Sequence, residues 1–171
     1  KDDLATLYTT LEENQVYSHD NTRVCLAGGA NNNYLIHQFK KLNDNRNDRI
    51  RAKFVLRSTL ASSSSAIVLQ VWNGITNSWE TLDTNSNKDA NTDLSFLEEL
   101  NALDGNYYDF NNEVTFRIYQ LNNTSQSHQL CIDLVQISFL IVYEDKYSSV
   151  GNSYTPLYRH KNLQDDLENP N

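Results

Sequence analysis

The segment IRAKFVLR, residues 50–57, alternates apolar and charged side chains with a period of two. One face of a strand over this segment would carry four apolar side chains, those of Ile50, Ala52, Phe54 and Leu56. The opposite face would carry three cations, Arg51, Lys53 and Arg57, together with Val55. This pattern is typical of a β-strand that packs one face on a core and turns the other towards water.

Strand patterns recur along the chain. Six further segments show them: 23–27, 34–40, 66–72, 78–82, 113–121 and 128–143. The pair Asn73-Gly74 predicts a hairpin turn. The last segment is long for one strand, and Gln136 and Ser138 interrupt one of its faces, which predicts a bulge or bend. Seven or eight strands separated by turn signals predict an all-β, antiparallel sandwich or barrel rather than a βαβ fold.

The apolar faces of these strands predict the core. We expect eight residues to be buried there: Phe54, Leu56, Leu69, Val71, Phe116, Ile118, Ile132 and Leu134. The chain length of 171 residues suits one domain with tails. We expect an N-terminal arm over 1–20, a sandwich over 21–145 and an extended C-terminal arm over 146–171.

Two short helices are expected beside the strands. Helical spacing after Asp3 as the cap predicts the first one, through Leu4, Leu7, Tyr8 and Leu11. The alternative is an extended arm over 1–12. Ser95 and Glu98 match a capping box, which predicts a second helix within a long insertion over 83–106.

Composition excludes several function classes. A net charge of −8 argues against a nucleic-acid partner, and no apolar run is long enough to span a membrane. The chain contains no Met, even at position 1, so we expect a mature product without its leader or an excised domain. There is no G-x-S-x-G or CxxC motif, and the four His residues are scattered, so we expect no enzyme.

Three stretches resemble a known family in their order. They are VLQVWNGITNSWETL (68–82), NYYDFNNEVTFRIYQ (106–120) and QLCIDLVQISFLIVYE (129–144). Together they are similar to the galactose-binding-domain-like jelly-roll modules of secreted and cell-surface bacterial proteins, over about residues 65–143. The resemblance implies a jelly-roll β-sandwich in an extracellular or cell-surface setting. Members of this broad class bind sugars, hold structural calcium, or build surface layers and filaments.

A polar loop is a candidate calcium site. Its oxygen donors are Asp83, Asn85, Asn87, Asp89 and Asp93, and alternating oxygen ligands suit a hard cation. The EF-hand pattern fails because Lys88 and Leu94 occupy the positions of its Gly and its bidentate Glu. A solvated loop without metal is the alternative.

The two cysteines are a candidate disulfide. Cys25 and Cys131 lie 106 positions apart on predicted strands near opposite ends of the chain. Such a bond is compatible with a secreted protein. Two buried thiols are the alternative.

Exposed aromatic side chains among amides are candidates for glycan binding. We consider four of them: Trp72, Tyr107, Tyr108 and Tyr119. The alternative is that Trp72 and Trp79 only pack within the sandwich.

Charge is segregated along the chain. Residues 40–57 hold seven Lys and Arg against two Asp, whereas residues 83–113 hold eight acids against one Lys. Opposite poles favour head-to-tail contacts between copies, which give open fibres when the rotation does not close. The alternative is pairing of the two blocks within one domain.

The segregated charge and the polar C-terminal arm favour self-assembly, in which both tails, 1–20 and 144–171, pack on other copies as well as on their own domain, by adding a strand to an exposed sheet edge. The expected contact residues are Arg49, Arg51, Lys53, Tyr154, Leu157, Tyr158, Asp165 and Asp166. Our main hypothesis is therefore a non-enzymatic structural subunit of an extracellular filament, tube or surface layer. The alternative is a carbohydrate-binding or adhesin module of a cell-surface protein.

Overall fold

The computed structural model describes residues 7–28, 33–43, 49–102, 105–122, 127–140, 146–150 and 153–158. These described residues form one helix, α1 (Thr10–Gln15), and ten strands. The strands are β1 (Val24–Gly28), β2 (Asn33–Leu42), β3 (Arg49–Ser58), β4 (Ile67–Asn73), β5 (Ser78–Asn85), β6 (Asp93–Asn101), β7 (Glu113–Asn122), β8 (His128–Leu140), β9 (Lys146–Val150) and β10 (Ser153–Tyr158). All seven strands expected from the sequence are present.

Eight of the strands form two facing sheets. The first sheet has the order β1-β8-β3-β6 and the second has the order β2-β7-β4-β5. Every neighbouring pair in both sheets is antiparallel. Since this order arises when a long antiparallel ribbon folds over itself, the domain is an eight-stranded jelly roll. The predicted fold class is confirmed.

The core lies between the inner faces of the sheets. Phe54 from the first sheet packs on Phe116 from the second with ring centroids 5.7 Å apart, and Phe39 packs on Phe54 at 5.8 Å. All eight residues expected in the core are buried. Seven of them join one central cluster, whereas Leu134 lines a cavity beneath the N-terminal segment.

Strand β8 contains a bulge. Its pairing with β3 shifts between Val55 and Leu56, whose partners are Leu134 and Ile132, so Asp133 has no partner in the ladder. The expected irregularity is thus confirmed, three residues before Gln136. Because the bulge turns the buried Asp133 carboxylate towards the N-terminal segment, it accepts the Asn21 N–H at 3.1 Å.

The first helix begins later than its apolar spacing predicts. Thr9 is its N-cap, and a capping box joins Thr9 and Glu12. Leu7 and Tyr8 therefore precede the helix, and Asp3 and Leu4 lie outside the described residues. The capping box fixes the residue at which the helix begins, whereas apolar spacing does not specify a first residue. This explains why the helix begins later than predicted.

The prediction of a second helix within a long insertion is wrong. Residues 93–101 form β6, which pairs with β3 from Arg57↔Asp93 to Arg49↔Asn101. Three side chains alternate into the core: Leu94, Phe96 and Leu100. Burial of this face and the β3 ladder outweigh the local capping signal of Ser95 and Glu98.

The same pairing explains the segregated charge. Arg49 and Arg51 of β3 contact Glu99 of β6 at 2.8 and 3.2 Å. The hydrogen bond from Arg49 is the main cause that lowers the pKa of the Glu99 carboxyl below its ordinary value, and the hydrogen bond from Arg51 adds to it. Lys40 contacts Glu113 at 3.3 Å across β2 and β7. The basic and acidic blocks are therefore adjacent strands of one domain, which was the alternative interpretation.

The described part of the N-terminal arm packs on its own domain. The Val16 carbonyl accepts the Val135 N–H of β8 at 2.7 Å, and the Tyr8 hydroxyl bonds to Nδ1 of the buried His37. Burial, with the Glu12 carboxylate as a second cause, raises the pKa of Tyr8. This segment therefore covers one side of the sandwich.

The C-terminal arm contains an antiparallel hairpin of β9 and β10. Tyr154, Leu157 and Tyr158 belong to β10, so their backbone is extended as expected. Asp165 and Asp166 lie outside the described residues. Contacts of this arm with a second copy stay a prediction. In the described part of the chain, no helix is long and apolar enough to cross a membrane.

We expect Phe116→Ala to lower the free energy of unfolding by about 3–5 kcal/mol, because the substitution opens a cavity between the sheets. Urea denaturation followed by circular dichroism measures this change. Leu97→Ala, at an exposed position of β6, is the control and should change stability by less than about 0.5 kcal/mol. A loss below about 1 kcal/mol for Phe116→Ala would contradict the assigned core.

Cys25 and Cys131 are direct cross-strand partners on β1 and β8, with their sulfur atoms 2.03 Å apart. Closing a loop of this length should stabilise the fold by roughly 4–5 kcal/mol on the chain-entropy model. We expect reductant to lower the unfolding midpoint of the wild type and to leave a Cys25→Ser/Cys131→Ser variant unchanged. Two titratable thiols in the unreduced, denatured protein would contradict the bond.

Candidate functional site

The face of the second sheet turned away from the core carries an aromatic and polar cluster. Five side chains from three adjacent strands form it, and we call them the Trp–Arg cluster: Gln70, Trp72, Trp79, Arg117 and Tyr119. They reach this face because they alternate with core residues, as Arg117 does between the buried Phe116 and Ile118.

The β4–β5 hairpin brings the two tryptophans together. Trp72 and Trp79 are direct partners in the ladder, and their rings meet edge to face at 5.4 Å. The turn is fixed by the Asn73 side-chain oxygen, which accepts the Ile75 N–H at 2.9 Å and the Thr76 N–H at 3.1 Å. The chain contains only these two tryptophans, and both belong to the cluster.

Arg117 lies at the centre of the cluster. Its guanidinium carbon is 4.1 Å from the Trp79 ring centroid and 5.5 Å from that of Tyr119. Its Nε donates to the Gln70 side-chain oxygen at 2.7 Å, and the Gln70 amide donates to Thr81 Oγ1 at 2.9 Å. Two aromatic contacts and a relayed hydrogen bond therefore hold the guanidinium in place.

The neighbouring carboxylates are engaged elsewhere. Glu80 accepts from the Asn73 amide at 2.6 Å and from the Tyr107 hydroxyl at 3.2 Å, and Glu113 pairs with Lys40. Burial lowers the pKa of the Arg117 guanidinium from its ordinary value. The cluster is therefore a positively charged, partly desolvated position on the sheet.

A groove of about 450 Å³ extends the cluster towards one end of the sheet. Trp72, Trp79 and Lys40 line it together with the loop between β6 and β7. On this loop Phe110 is 90% exposed. The Gly74 N–H donates to the Asn106 carbonyl at 2.7 Å, which holds the loop against the hairpin turn.

Two of the four expected glycan-binding aromatics lie on this face. Trp72 and Tyr119 belong to the cluster, whereas Tyr107 packs at the edge of the core and bonds to Glu80. Tyr108 is only 4% exposed, and its hydroxyl accepts from Asn43 at 2.8 Å.

Sequence reasoning missed three members of the cluster. It treated Trp79 only as packing and assigned no role to Arg117 or Gln70. The alternation of β7 places Arg117 and Tyr119 on one face, and this signal could have identified Arg117.

The candidate calcium residues are divided between the sheets. Asp83 lies on β5 and Asp93 on β6, and Asn85 accepts from the Ser62 hydroxyl at 2.6 Å. In the described ranges no three His, Cys, Asp or Glu residues come together as a group that could hold a metal. Calcium binding therefore stays a prediction.

Asp93, one of these candidates, already has two cationic partners. Arg57 contacts its carboxylate at 2.9 Å and Arg23 contacts it at 3.3 Å. Burial raises the pKa of Asp93, but the hydrogen bond and charge of Arg57 and the charge of Arg23 lower it overall. A metal would have to compete with both arginines.

A second cavity, of about 790 Å³, lies beneath the N-terminal segment. Its lining includes Tyr8, Val16, Tyr17, Phe39 and Leu134. The lining also includes the amides of Gln38 and Gln136, but no arginine lies among its described lining residues.

No family model matches the chain, and no curated protein matches it. Among solved structures, one described as "CBM4 structure and function" aligns with a TM-score of 0.48 at 11% sequence identity. The alignment covers 72% of this chain and 87% of that chain.

We expect Gly74→Ala to disturb the groove. A Cβ at this position would lie 2.8 Å from the Tyr108 carbonyl oxygen, so the loop has to move. Such overpacking typically costs about 1–3 kcal/mol of stability, and denaturant unfolding measures it. Thr76→Ala, in the exposed part of the same turn, is the control. Equal stability of Gly74→Ala and wild type would show that the loop is not held closely.

Proposed function

We propose that the protein is a non-catalytic carbohydrate-binding module whose ligand lies on the Trp–Arg cluster. One observation carries the proposal: aromatic rings and fixed amide and guanidinium groups share one face of the second sheet, away from the core. This combination suits a sugar, because a pyranose ring has C–H groups that pack on aromatic faces and hydroxyls that need hydrogen-bond partners.

The polar groups on this face are arranged in a row. Gln38 of β2, Arg117 of β7 and Gln70 of β4 are neighbours across the sheet. The Gln38 amide offers both a donor and an acceptor to hydroxyls, and Arg117 offers donors. Because strands hold these groups and Gln70 is itself bonded to Thr81, a ligand would lose little affinity to ordering the protein.

An extracellular or cell-surface setting fits this proposal. The bond between Cys25 and Cys131 is typical of proteins in oxidising compartments, where disulfides form and persist. A protein outside the cell would also have access to the polysaccharides of cell surfaces.

The assembly hypothesis is the weaker of the two functions considered. Its main argument was the segregated charge, and Arg49 and Arg51 use their charge on Glu99 of the same domain. Contacts through Lys53 and the C-terminal arm stay a prediction. We therefore prefer glycan binding to a structural subunit.

The decisive experiment is affinity gel electrophoresis against a panel of soluble polysaccharides, with calorimetry on any that retard the protein. We expect Trp72→Ala to weaken binding by about 30-fold, since truncating a central aromatic contact typically costs about 2 kcal/mol or more. Circular dichroism verifies that the variant is folded.

Tyr17→Ala is the matched control. Tyr17 is an exposed aromatic residue that lines the second cavity, so its loss should leave binding unchanged. Loss of binding in Tyr17→Ala with full binding in Trp72→Ala would move the site to that cavity. No binding to any member of the panel at millimolar sugar would overturn the proposed function.

A further inference from the structure

We propose that the ligand of the Trp–Arg cluster is an acidic glycan, and that a uronate carboxylate on it pairs with the guanidinium of Arg117. This inference rests on the proposed function and names the chemical class of its ligand. It follows from the unbalanced charge of Arg117, from how that charge is held, and from the groups beside it.

Arg117 differs from the other arginines that the structure describes. Arg23 and Arg57 contact Asp93, and Arg49 and Arg51 contact Glu99. Arg117 has no carboxylate within ion-pair distance among the described residues. A half-buried cation normally has an anionic partner, because desolvation makes an unpaired charge costly. A ligand carboxylate would supply the missing partner.

The geometry leaves the binding end of the guanidinium available. Its Nε is used by Gln70, and its two terminal nitrogens donate to no described residue. Both terminal nitrogens reach solvent, because neither is among the fully buried side-chain atoms without a hydrogen-bond partner. Two parallel N–H groups at the end of a planar fork match the two oxygens of a carboxylate.

The position of Arg117 is already fixed. The ring centroids of Trp79 and Tyr119 lie 4.1 Å and 5.5 Å from its guanidinium carbon, and the Gln70 side-chain oxygen accepts the hydrogen bond of its Nε. An arginine that serves only as a solubilising surface charge would have no need of three such supports. Because the side chain loses little freedom on binding, a carboxylate gains nearly the full benefit of a charge-assisted pair.

The neighbouring groups suit the rest of an acidic sugar. Gln38 flanks Arg117 in the same cross-strand row and can bind a ring hydroxyl, whereas Gln70 on the other side is buried and holds Arg117 in place. Trp72 lies one row further and offers an aromatic edge of the groove to the next sugar in a chain. In a protein with a net charge of −8, this local cation selects a negative group by direct contact.

The test compares acidic oligosaccharides with their own methyl esters, which keep the ring and lose the charge. Oligogalacturonate, oligomannuronate and glucuronate-bearing xylan fragments are titrated by calorimetry beside these esters. We expect at least one acid to bind about 10–100-fold more tightly than its ester, the range that a charge-assisted pair supports. Arg117→Gln should abolish this preference, and Arg117→Lys should retain only part of it because it lacks the fork.

Arg49→Gln is the matched control, since it removes an exposed arginine of the other sheet and should preserve the preference. An equal loss in that variant would show non-specific attraction and overturn the inference. If Arg117→Gln fails to fold, the comparison of acid with ester on the wild type still decides.

Three further results would also be decisive. Equal, Trp72-dependent binding of acid and ester would overturn the acidic class and leave glycan binding standing. Tighter binding of a sulfated galactan fragment than of every uronate would overturn the carboxylate. Binding of neither acids, esters nor neutral glycans would overturn the proposed function itself.

Discussion

The packing of the two inner sheet faces, centred on Phe54 and Phe116, is the constraint on which the rest of the structure depends. Each strand must place alternate side chains in this contact, so its remaining side chains are assigned to the outer faces. A slip of one residue in β7 would bury Arg117 and expose Phe116. The core therefore determines where Arg117 and Tyr119 lie, although neither contributes to the central cluster.

Register transfers this constraint from strand to strand. Trp72 faces Trp79 because the β4–β5 hairpin closes after Asn73, and Gln70 faces Arg117 because β4 pairs with β7. The same logic acts in the first sheet, where β3 and β6 place their cations and carboxylates side by side. One sheet thus uses its outer charges within the domain, whereas the other leaves one arginine without a carboxylate among the described residues.

The bulge at Asp133 has a separate consequence. It interrupts the β3–β8 ladder and turns the Asp133 carboxylate away from the core towards the N-terminal segment, which buries it fully. His19 contacts this carboxylate at 3.3 Å and Arg23 contacts it at 3.6 Å. The N-terminal segment is therefore tied to β8 by charge as well as by the Val16 hydrogen bond, and it belongs physically to the sandwich.

Much of the fold could be predicted from local pattern, because period-two alternation reports directly which side chains face the core. Residues 50–57 and 113–121 are clear examples. Leu94, Phe96 and Leu100 alternate as well, but Glu98 interrupts their face, and a capping-box match at Ser95 obscured the pattern. Only the partner strand decides between these two signals, and a partner 36 to 52 residues away is not visible in a local window.

The site was less predictable than the fold. Exposed aromatic residues could be nominated from the sequence, but Tyr107 and Tyr108 could not be separated from Trp72 and Tyr119 without tertiary contacts. Charge was misleading for a related reason. The basic and acidic blocks are far apart in sequence and therefore suggested oppositely charged ends of the molecule. The antiparallel β3–β6 ladder instead places them in contact. Arg117 became conspicuous only when every other described arginine had a partner.

Intrinsic tryptophan fluorescence tests the central claim most directly, because both tryptophans of the chain lie in the proposed site. Titration with a glycan that binds by calorimetry should shift or quench the emission, with a midpoint equal to the calorimetric dissociation constant. Acid and ester forms of the same oligosaccharide should give separate midpoints in the wild type and coincident ones in Arg117→Gln. Saturable binding of a glycan with unchanged tryptophan emission would contradict the assignment of the site to this face.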